Sequence, residues 1–117
     1  MTKIAVSAEG PTLANRVDPR FGRAAGFVVV DVATMALDYV DNGGCQTLSH
    51  GAGIQAAEAV ARSGATVLLT GTVGPKAYQA LAAAGIRVGQ NLEGLTVGEA
   101  VARFKAGHVA FATGPNK

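Results

Sequence analysis

A glycine-rich stretch, NGGCQTLSHGAG at residues 42–53, contains the only cysteine of the chain, Cys45, and one of its two histidines, His50. A closed zinc site needs four ligands, and His108 is the only other obvious donor. A catalytic thiolate needs a base and an orienting group, and no matching Asn or Asp can be assigned from the sequence. Cys45, with His50 five residues later, is therefore a candidate ligand for a soft metal such as copper, and the alternative is a partly exposed cysteine without a role.

A second group of chemically active residues consists of three arginines. Arg16, Arg20 and Arg23 lie within eight residues, with only Asp18 as an opposing charge. Arginine presents fork-shaped donors that suit anions, and helix N-termini attract anions through their free N–H groups. The alternative is a set of ordinary turns with solvated arginines.

Two glycine motifs and three aspartates suggest nucleotide binding or nuclease chemistry, but the sequence lacks other residues that these functions need. Gly51-x-Gly53-x-x-Ala56 resembles a dinucleotide fingerprint, but no Asp or Glu follows between residues 59 and 92. Residues 71–76, GTVGPK, are too short for a P-loop. Two-metal nuclease chemistry would need converging carboxylates. Asp38 and Asp41 are three residues apart and so point to opposite faces of a strand, and Asp31 is expected at a strand end. These three, Asp31, Asp38 and Asp41, are interpreted as solvated hairpin residues.

The strands and helices that must position these residues are predicted from hydrophobic periodicity and from the turn and capping residues between them. Strands are predicted at residues 3–8, 26–32, 36–41, 66–70 and 86–89, the second and third forming a hairpin. Helices are predicted at residues 53–63, from the Gly74-Pro75 pair to Gly85, and from the capping box Thr96-Val-Gly-Glu99 to Gly107. In the first helix, Ile54, Ala57 and Ala61 are assigned to the buried face.

This element order predicts an α/β sandwich on a mixed sheet. Ligands of such sheets bind beyond the carboxyl ends of parallel strands, which are followed here by residues 9–23 and 71–75. The 43–53 loop leads into a helix and could reach the same rim. The sequence therefore predicts an anion-binding cleft at this edge.

Composition limits the class of protein. The 117 residues suffice for one core, and 49% are hydrophobic against 15% charged, which is typical of a compact globular domain. The net charge of +2 is too small to indicate bulk nucleic-acid binding. The apolar runs are too short to span a membrane or serve as a signal peptide, and one cysteine fits a reducing compartment. A cytoplasmic location is therefore expected.

Four motifs in order resemble the dinitrogenase iron-molybdenum cofactor family, which includes the NifX-type and NifB-type proteins. They are Asp18-Pro-Arg-Phe-Gly-Arg-Ala24, Ser49-His-Gly-Ala-Gly-Ile-Gln-Ala56, Gly71-Thr-Val-Gly-Pro-Lys-Ala77 and Thr96-Val-Gly-Glu-Ala-Val101. The likeness predicts a domain at residues 1–107 and a tail at 108–117. It is greatest to a branch of small proteins that carry a molybdenum–copper sulfide cluster.

The resemblance implies an RNase H-like three-layer α/β sandwich with a mixed five-stranded sheet and three helices. It also implies non-covalent carriage or storage of an anionic molybdenum-containing cluster, without catalysis. The expected cargo is a molybdenum–copper sulfide cluster, with an iron–molybdenum–sulfur cluster or precursor as the alternative. A protein that donates or receives the cluster is a possible partner, and neither nucleic acid nor membrane is expected.

Matching motif positions identify the expected cluster contacts, and Cys45 and His50 are the expected metal ligands. The contacts are Arg20, Phe21, Gly22, Arg23, His50, Gly51, Gly53 and Gly74. Apolar cover for the cluster is expected from Phe21, Phe27 or the tail. Two other functions stay open: a cofactor-free interaction or regulatory module, and an RNase H-like or thiol hydrolase.

Overall fold

The computed structural model describes residues 2–43 and 51–116. Within them, five strands form one sheet: β1 (Lys3–Ala8), β2 (Gly26–Asp31), β3 (Ala36–Asp41), β4 (Val67–Leu69) and β5 (Arg87–Gly89). The helices of the described chain are α1 (Ala52–Arg62), α2 (Pro75–Ala83) and α3 (Val97–Lys105), and a 3-10 turn spans Phe21–Arg23. The predicted elements are confirmed, with ends that differ by a few residues.

The sheet is mixed and has the order β3-β2-β1-β4-β5. The first three strands pair antiparallel, whereas β1, β4 and β5 run parallel. The predicted α/β fold with a mixed five-stranded sheet and three helices is therefore confirmed, and this arrangement is compatible with an RNase H-like sandwich. Because β1 lies in the middle, the antiparallel and parallel halves of the sheet meet along it.

Two hydrophobic cores lie on opposite faces of the sheet and make the fold three-layered. Residues of β1 alternate between them: Ala5 packs with α1 and α2, whereas Ile4 and Val6 pack with α3. Strand β2 is buried along its whole length, which explains its nearly continuous run of β-branched residues.

The ends of the helices follow the predicted local signals. Thr96 and Glu99 form the predicted capping box, with Glu99 N–H donating to Thr96 Oγ1 at 3.1 Å and Thr96 N–H donating to Glu99 Oε1 at 2.8 Å. Hydrogen bonding to Thr96 lowers the pKa of the Glu99 carboxyl from its ordinary value. Gly64 and Gly85 follow the first two helices with φ of +85° and +76°, a backbone conformation that favours glycine.

The predicted buried face of α1 is confirmed for Ala57 and was wrong for Ile54 and Ala61. Ile54 is 38% exposed and Ala61 is exposed, whereas the buried residues are Ala52, Ala56, Ala57 and Val60. Helix α1 packs closely against α2 and the 3-10 turn, and small side chains permit that approach. A stripe of alanines therefore faces the core, and the larger Ile54 is turned outward.

Residues 108–116, here called the strap, run along the outer edge of the parallel half of the sheet. Phe111 forms a bridge with Gly89, and Ala112 N–H donates to Val88 O at 2.8 Å. Arg87 stacks on the Phe111 ring at 3.7 Å, and Tyr78 of α2 donates its hydroxyl to Ala112 O at 3.0 Å. The strap thus covers the β5 edge, which would otherwise present unpaired backbone groups.

Candidate anion-binding cleft

A cleft of about 350 Å³ opens where the segments after β1 and β4 meet the N-termini of α1 and α2. Its lining residues are Arg20, Phe21, Gly22, Arg23, Gly51, Ala52, Gly53, Thr72, Gly74 and Pro75. The structure therefore brings together every predicted cluster contact that lies within residues 2–43 and 51–116. Cys45 and His50 lie outside the described residues. Binding of a cluster by this set stays a prediction.

The segment after β1 is fastened to the sheet by Asp18, which is 5% exposed. Asp18 N–H donates to Ser7 O at 2.8 Å, and Ser7 Oγ donates to Asp18 O at 2.8 Å. Asp18 Oδ1 accepts the Arg20 N–H at 3.1 Å and lies 4.0 Å from Arg20 Nε. The buried carboxylate orders the backbone at Arg20, while the Arg20 side chain is 62% exposed and available to a ligand.

Backbone bonds then join the 3-10 turn to the segment after β4. Thr72 donates its N–H to Pro19 O at 2.7 Å and its hydroxyl to the same oxygen at 2.9 Å. Phe21 N–H donates to Thr72 O at 3.2 Å, which completes a parallel bridge between Arg20 and Thr72. The predicted convergence of residues 9–23 and 71–75 is confirmed by these contacts.

Asn42 holds the other side of the 3-10 turn. Its side chain is buried, and Nδ2 donates to Ala24 O at 3.0 Å and to Gly22 O at 3.3 Å. These bonds fix the turn on which Arg23 lies. Neither Asn42 nor Thr72 was identified from the sequence, because their partners lie 18–53 residues away along the chain. A polar residue at each strand-to-loop boundary is the local signal that they offer.

The aromatic rings expected to cover the cleft lie in the core instead. Phe21 is 1% exposed and Phe27 is fully buried, and their ring centroids are 5.4 Å apart. Phe21 therefore anchors the 3-10 turn to the core and places Gly22 and Arg23 at the cleft. The expectation that these rings shield a ligand from water was wrong, because both rings are buried in the core that also contains residues of α1 and α2.

Three backbones approach closely at the floor of the cleft. A Cβ atom on Gly53 would lie 2.9 Å from Ala77 Cβ, and one on Gly22 would lie 3.0 Å from Gly53 N. Such separations are below ordinary van der Waals contact, so glycine is required for the 3-10 turn, α1 and α2 to meet. This packing brings both helix N-termini to one cavity.

The electrostatics of the lining favour an anion. Gly51 and Gly74 are the N-cap residues of α1 and α2, and the first N–H groups of a helix have no intrahelical acceptor. The helix dipoles add partial positive charge at the same place, beside the guanidinium groups of Arg20 and Arg23. Among the lining residues that the structure describes, none is a carboxylate.

A second, more apolar cavity of about 390 Å³ adjoins the cleft. The two share Gly51, Gly53, Gly74 and Pro75, and the second also contacts Ile54 and Lys76. The exposed isoleucine and lysine therefore border the cleft and extend it between α1 and α2.

The aspartates considered for nuclease chemistry instead form short-range bonds at or near turns. The interpretation as a solvated residue was wrong for Asp31, which is 8% exposed and whose Oδ1 accepts the Ala33 N–H at 3.0 Å. Asp41 is exposed as predicted, and its Oδ1 accepts the Gly43 N–H at 2.9 Å. Asp38 Oδ1 accepts the Tyr39 N–H at 2.9 Å on the edge strand β3. Across residues 2–43 and 51–116, no three His, Cys, Asp or Glu side chains converge as metal ligands.

Comparison with known proteins identifies the family. The sequence profile described as dinitrogenase iron-molybdenum cofactor matches residues 2–107. The chain belongs to this family. The resemblance inferred from the sequence is confirmed, and the matched span includes every described residue that lines the cleft.

Solved structures of relatives share the whole fold. The apo form of the orange protein from Desulfovibrio gigas is 73% identical, with a TM-score of 0.98 over 100% of this chain and 98% of that chain. A NifB-like protein of the DUF35 family from Thermotoga is 30% identical, with a TM-score of 0.86 and the same coverage. The family and the similarity to the orange protein support metal-cluster binding by this chain.

A curated relative extends the comparison to an archaeon. An uncharacterized protein of Methanocaldococcus jannaschii is 30% identical over 77 residues, which are 63% of this chain. The match spans 64% of the length of that relative.

Of the helices that the structure describes, none is long and apolar enough to cross a membrane.

Proposed function

We propose that this protein binds and carries, or stores, a preformed anionic molybdenum-containing metal–sulfur cluster without covalent attachment and without catalysis. The observation that carries the proposal is the convergence of Arg20, Arg23 and two helix N-termini on one cleft. The cluster is cargo rather than a resident catalytic group. A molybdenum–copper sulfide cluster is the proposed cargo, with an iron–molybdenum–sulfur cluster or precursor as the alternative.

The donor set fits such an anion. Terminal sulfides accept hydrogen bonds from guanidinium and backbone N–H groups, and charge-assisted bonds are the stronger ones. The volume of about 350 Å³ lies within the range of roughly 300–1,000 Å³ that small-molecule sites occupy. Close approach of the backbones at Gly22 and Gly53 leaves N–H-bearing main chain, rather than side chains, at the floor.

Direct coordination is a separate part of the proposal. Cys45 and His50 would add a thiolate and an imidazole at the copper side of the cluster. A single cysteine fits a reducing compartment, and we place the carrier in the cytoplasm. A protein that donates or receives the cluster would approach the open rim near Ile54 and Lys76.

The test is anaerobic reconstitution with tetrathiomolybdate and copper, followed by the visible spectrum and by metal and sulfide analysis. We expect a coloured protein with a stoichiometric cluster that survives gel filtration. A protein that stays colourless and metal-free would contradict cluster carriage and favour the cofactor-free interaction module.

Matched variants separate charge from thiolate ligation. Arg20→Gln should release the cluster about fivefold faster, since a partly exposed charge-assisted hydrogen bond is lost. Arg62→Gln is the control, because Arg62 lies at the far end of α1 and pairs with Glu58 at 3.8 Å. Cys45→Ser tests the thiolate: loss of copper with retention of molybdenum would assign Cys45 to the copper side.

A further inference from the structure

Asn116 joins the strap to the segment that lines the cleft, through its side chain and its backbone. Its Oδ1 accepts the Val73 N–H at 2.8 Å, and its Nδ2 donates to Gly71 O at 2.9 Å and to Asn91 Oδ1 at 3.0 Å. Asn116 N–H also donates to Val73 O at 3.2 Å. One asparagine thus bonds to both residues that flank Thr72.

Thr72 is the residue through which the segment after β4 holds the arginine turn. Thr72 O accepts a hydrogen bond from Phe21 N–H, and the N–H and hydroxyl of Thr72 both donate to Pro19 O. A continuous series of bonds therefore leads from Asn116, through residues 71–73, to the backbone that carries Arg20. Space around this series is tight, since a Cβ atom on Gly71 would lie 2.6 Å from Pro19 O.

The strap is tied at other points that do not reach the cleft. Gln90 Nε2 donates to Gly114 O at 2.9 Å, and Ala112 is held by Val88 and Tyr78. These contacts keep the strap on the sheet edge, while Asn116 alone among them joins it to the cleft lining. The strap also lies beyond residue 107, where the match to the family profile ends.

We propose that Asn116 is a positioning residue of the cleft. It holds residues 71–73 and, through Thr72, sets the place of Arg20 and Phe21 relative to the N-termini of α1 and α2. The expected effect of Asn116 on cluster binding rests on the proposed function. The hydrogen bond from Val73 N–H to Asn116 is present in the protein without cargo and can be measured separately.

The experiment compares Asn116→Ala with Gln90→Ala in the full chain. Amide hydrogen exchange of the cargo-free protein is followed by NMR at Val73, with Leu69 in the β4 ladder as the reference. Asn116→Ala should speed exchange at Val73 relative to Leu69 by roughly threefold to tenfold, because the Val73 N–H loses its acceptor. Gln90→Ala should leave this ratio unchanged.

Cargo retention is measured on the same variants after reconstitution with tetrathiomolybdate and copper. Asn116→Ala should release molybdenum several-fold faster and alter the circular dichroism of the bound cluster in the visible range, whereas Gln90→Ala should do neither. Thermal unfolding of both variants identifies any general loss of stability, which would move Leu69 exchange as well.

Each outcome bears on a defined half of the inference. An unchanged Val73-to-Leu69 ratio in Asn116→Ala would overturn the bond itself. A raised ratio with normal cluster retention and spectrum would overturn the positioning role. If the unsubstituted protein takes up no cluster, the proposed function fails, and so does the positioning role of Asn116 in cluster binding. The exchange ratio still shows whether Asn116 accepts the hydrogen bond from Val73 N–H.

Discussion

The contact between Gly53 and Ala77 determines how closely the two helix N-termini approach, and Gly53→Ala tests it. The added Cβ would lie 2.9 Å from Ala77 Cβ. Carbon atoms in good contact are about 3.5–4.0 Å apart, so α1 and α2 must separate by about 0.6–1.1 Å. Overpacking of this size costs about 1–3 kcal/mol, and the better helix propensity of alanine offsets up to about 1 kcal/mol. We expect a net loss of about 1 kcal/mol in the free energy of unfolding.

A double-mutant cycle with Ala77→Gly removes the propensity contributions and isolates the clash. Ala77→Gly alone should destabilise the protein by about 1–2 kcal/mol, through helix propensity and the loss of a buried methyl group. In the double variant the space is restored, so its stability should exceed the sum of the single effects by about 1–3 kcal/mol. Denaturant unfolding of the four proteins measures this coupling energy.

Gly74→Ala is the matched control, because it lines the same cleft and a Cβ there meets nothing within 4 Å. Its cycle with Ala77→Gly should show a coupling energy below about 0.5 kcal/mol. A coupling of that small size for Gly53 as well would refute the packing argument, since the two helices would then tolerate a methyl group at their contact.

Three further predictions concern the stability of the fold that carries the cleft. Ser7→Ala should cost about 1–3 kcal/mol in urea unfolding, because Ser7 Oγ bonds Thr70 Oγ1 at 2.7 Å in the core, and Ser7→Ala with Thr70→Val should recover part of that loss. Thr96→Ala should remove the capping box and lower stability by about 1 kcal/mol, with exposed Thr66→Ala as the unaffected control. Because the pKa of Glu99 is lowered on folding, its contribution is fully present above the ordinary pKa of a glutamate and disappears as pH falls through the lowered value. Melting temperatures between pH 6 and 3 should therefore fall less in Glu99→Gln than in the unsubstituted protein, and equal slopes would contradict this.

Much of the fold was predictable because its signals are local. The capping box at Thr96 needs only residues within one turn of helix, and the Gly74-Pro75 pair defines the start of α2 in the same way. The convergence of the two loops on the cleft followed from a rule about the carboxyl ends of parallel strands.

The features that the sequence did not reveal depend on partners far along the chain. The buried face of α1 is set by close contacts with Gly22 and Ala77, not by the period of its larger side chains. Asn42 and Asn116 look like ordinary loop residues until their partners 18–45 residues away are known. Phe21 lies within a motif that resembles the family, and only its burial shows that it packs in the core.

The central position of β1 has a consequence for the order in which the chain assembles. Strands β1, β2 and β3 pair antiparallel within residues 3–41, whereas the pairing of β1 with β4 must close a loop that reaches residue 67. Longer closures cost more chain entropy, which favours early formation of the antiparallel half. A nascent chain that has made only this half has its arginines but lacks both helix N-termini. Binding of the proposed anionic cargo would therefore require that folding is complete. A ligand that binds only the finished cleft would stabilise the folded protein by mass action.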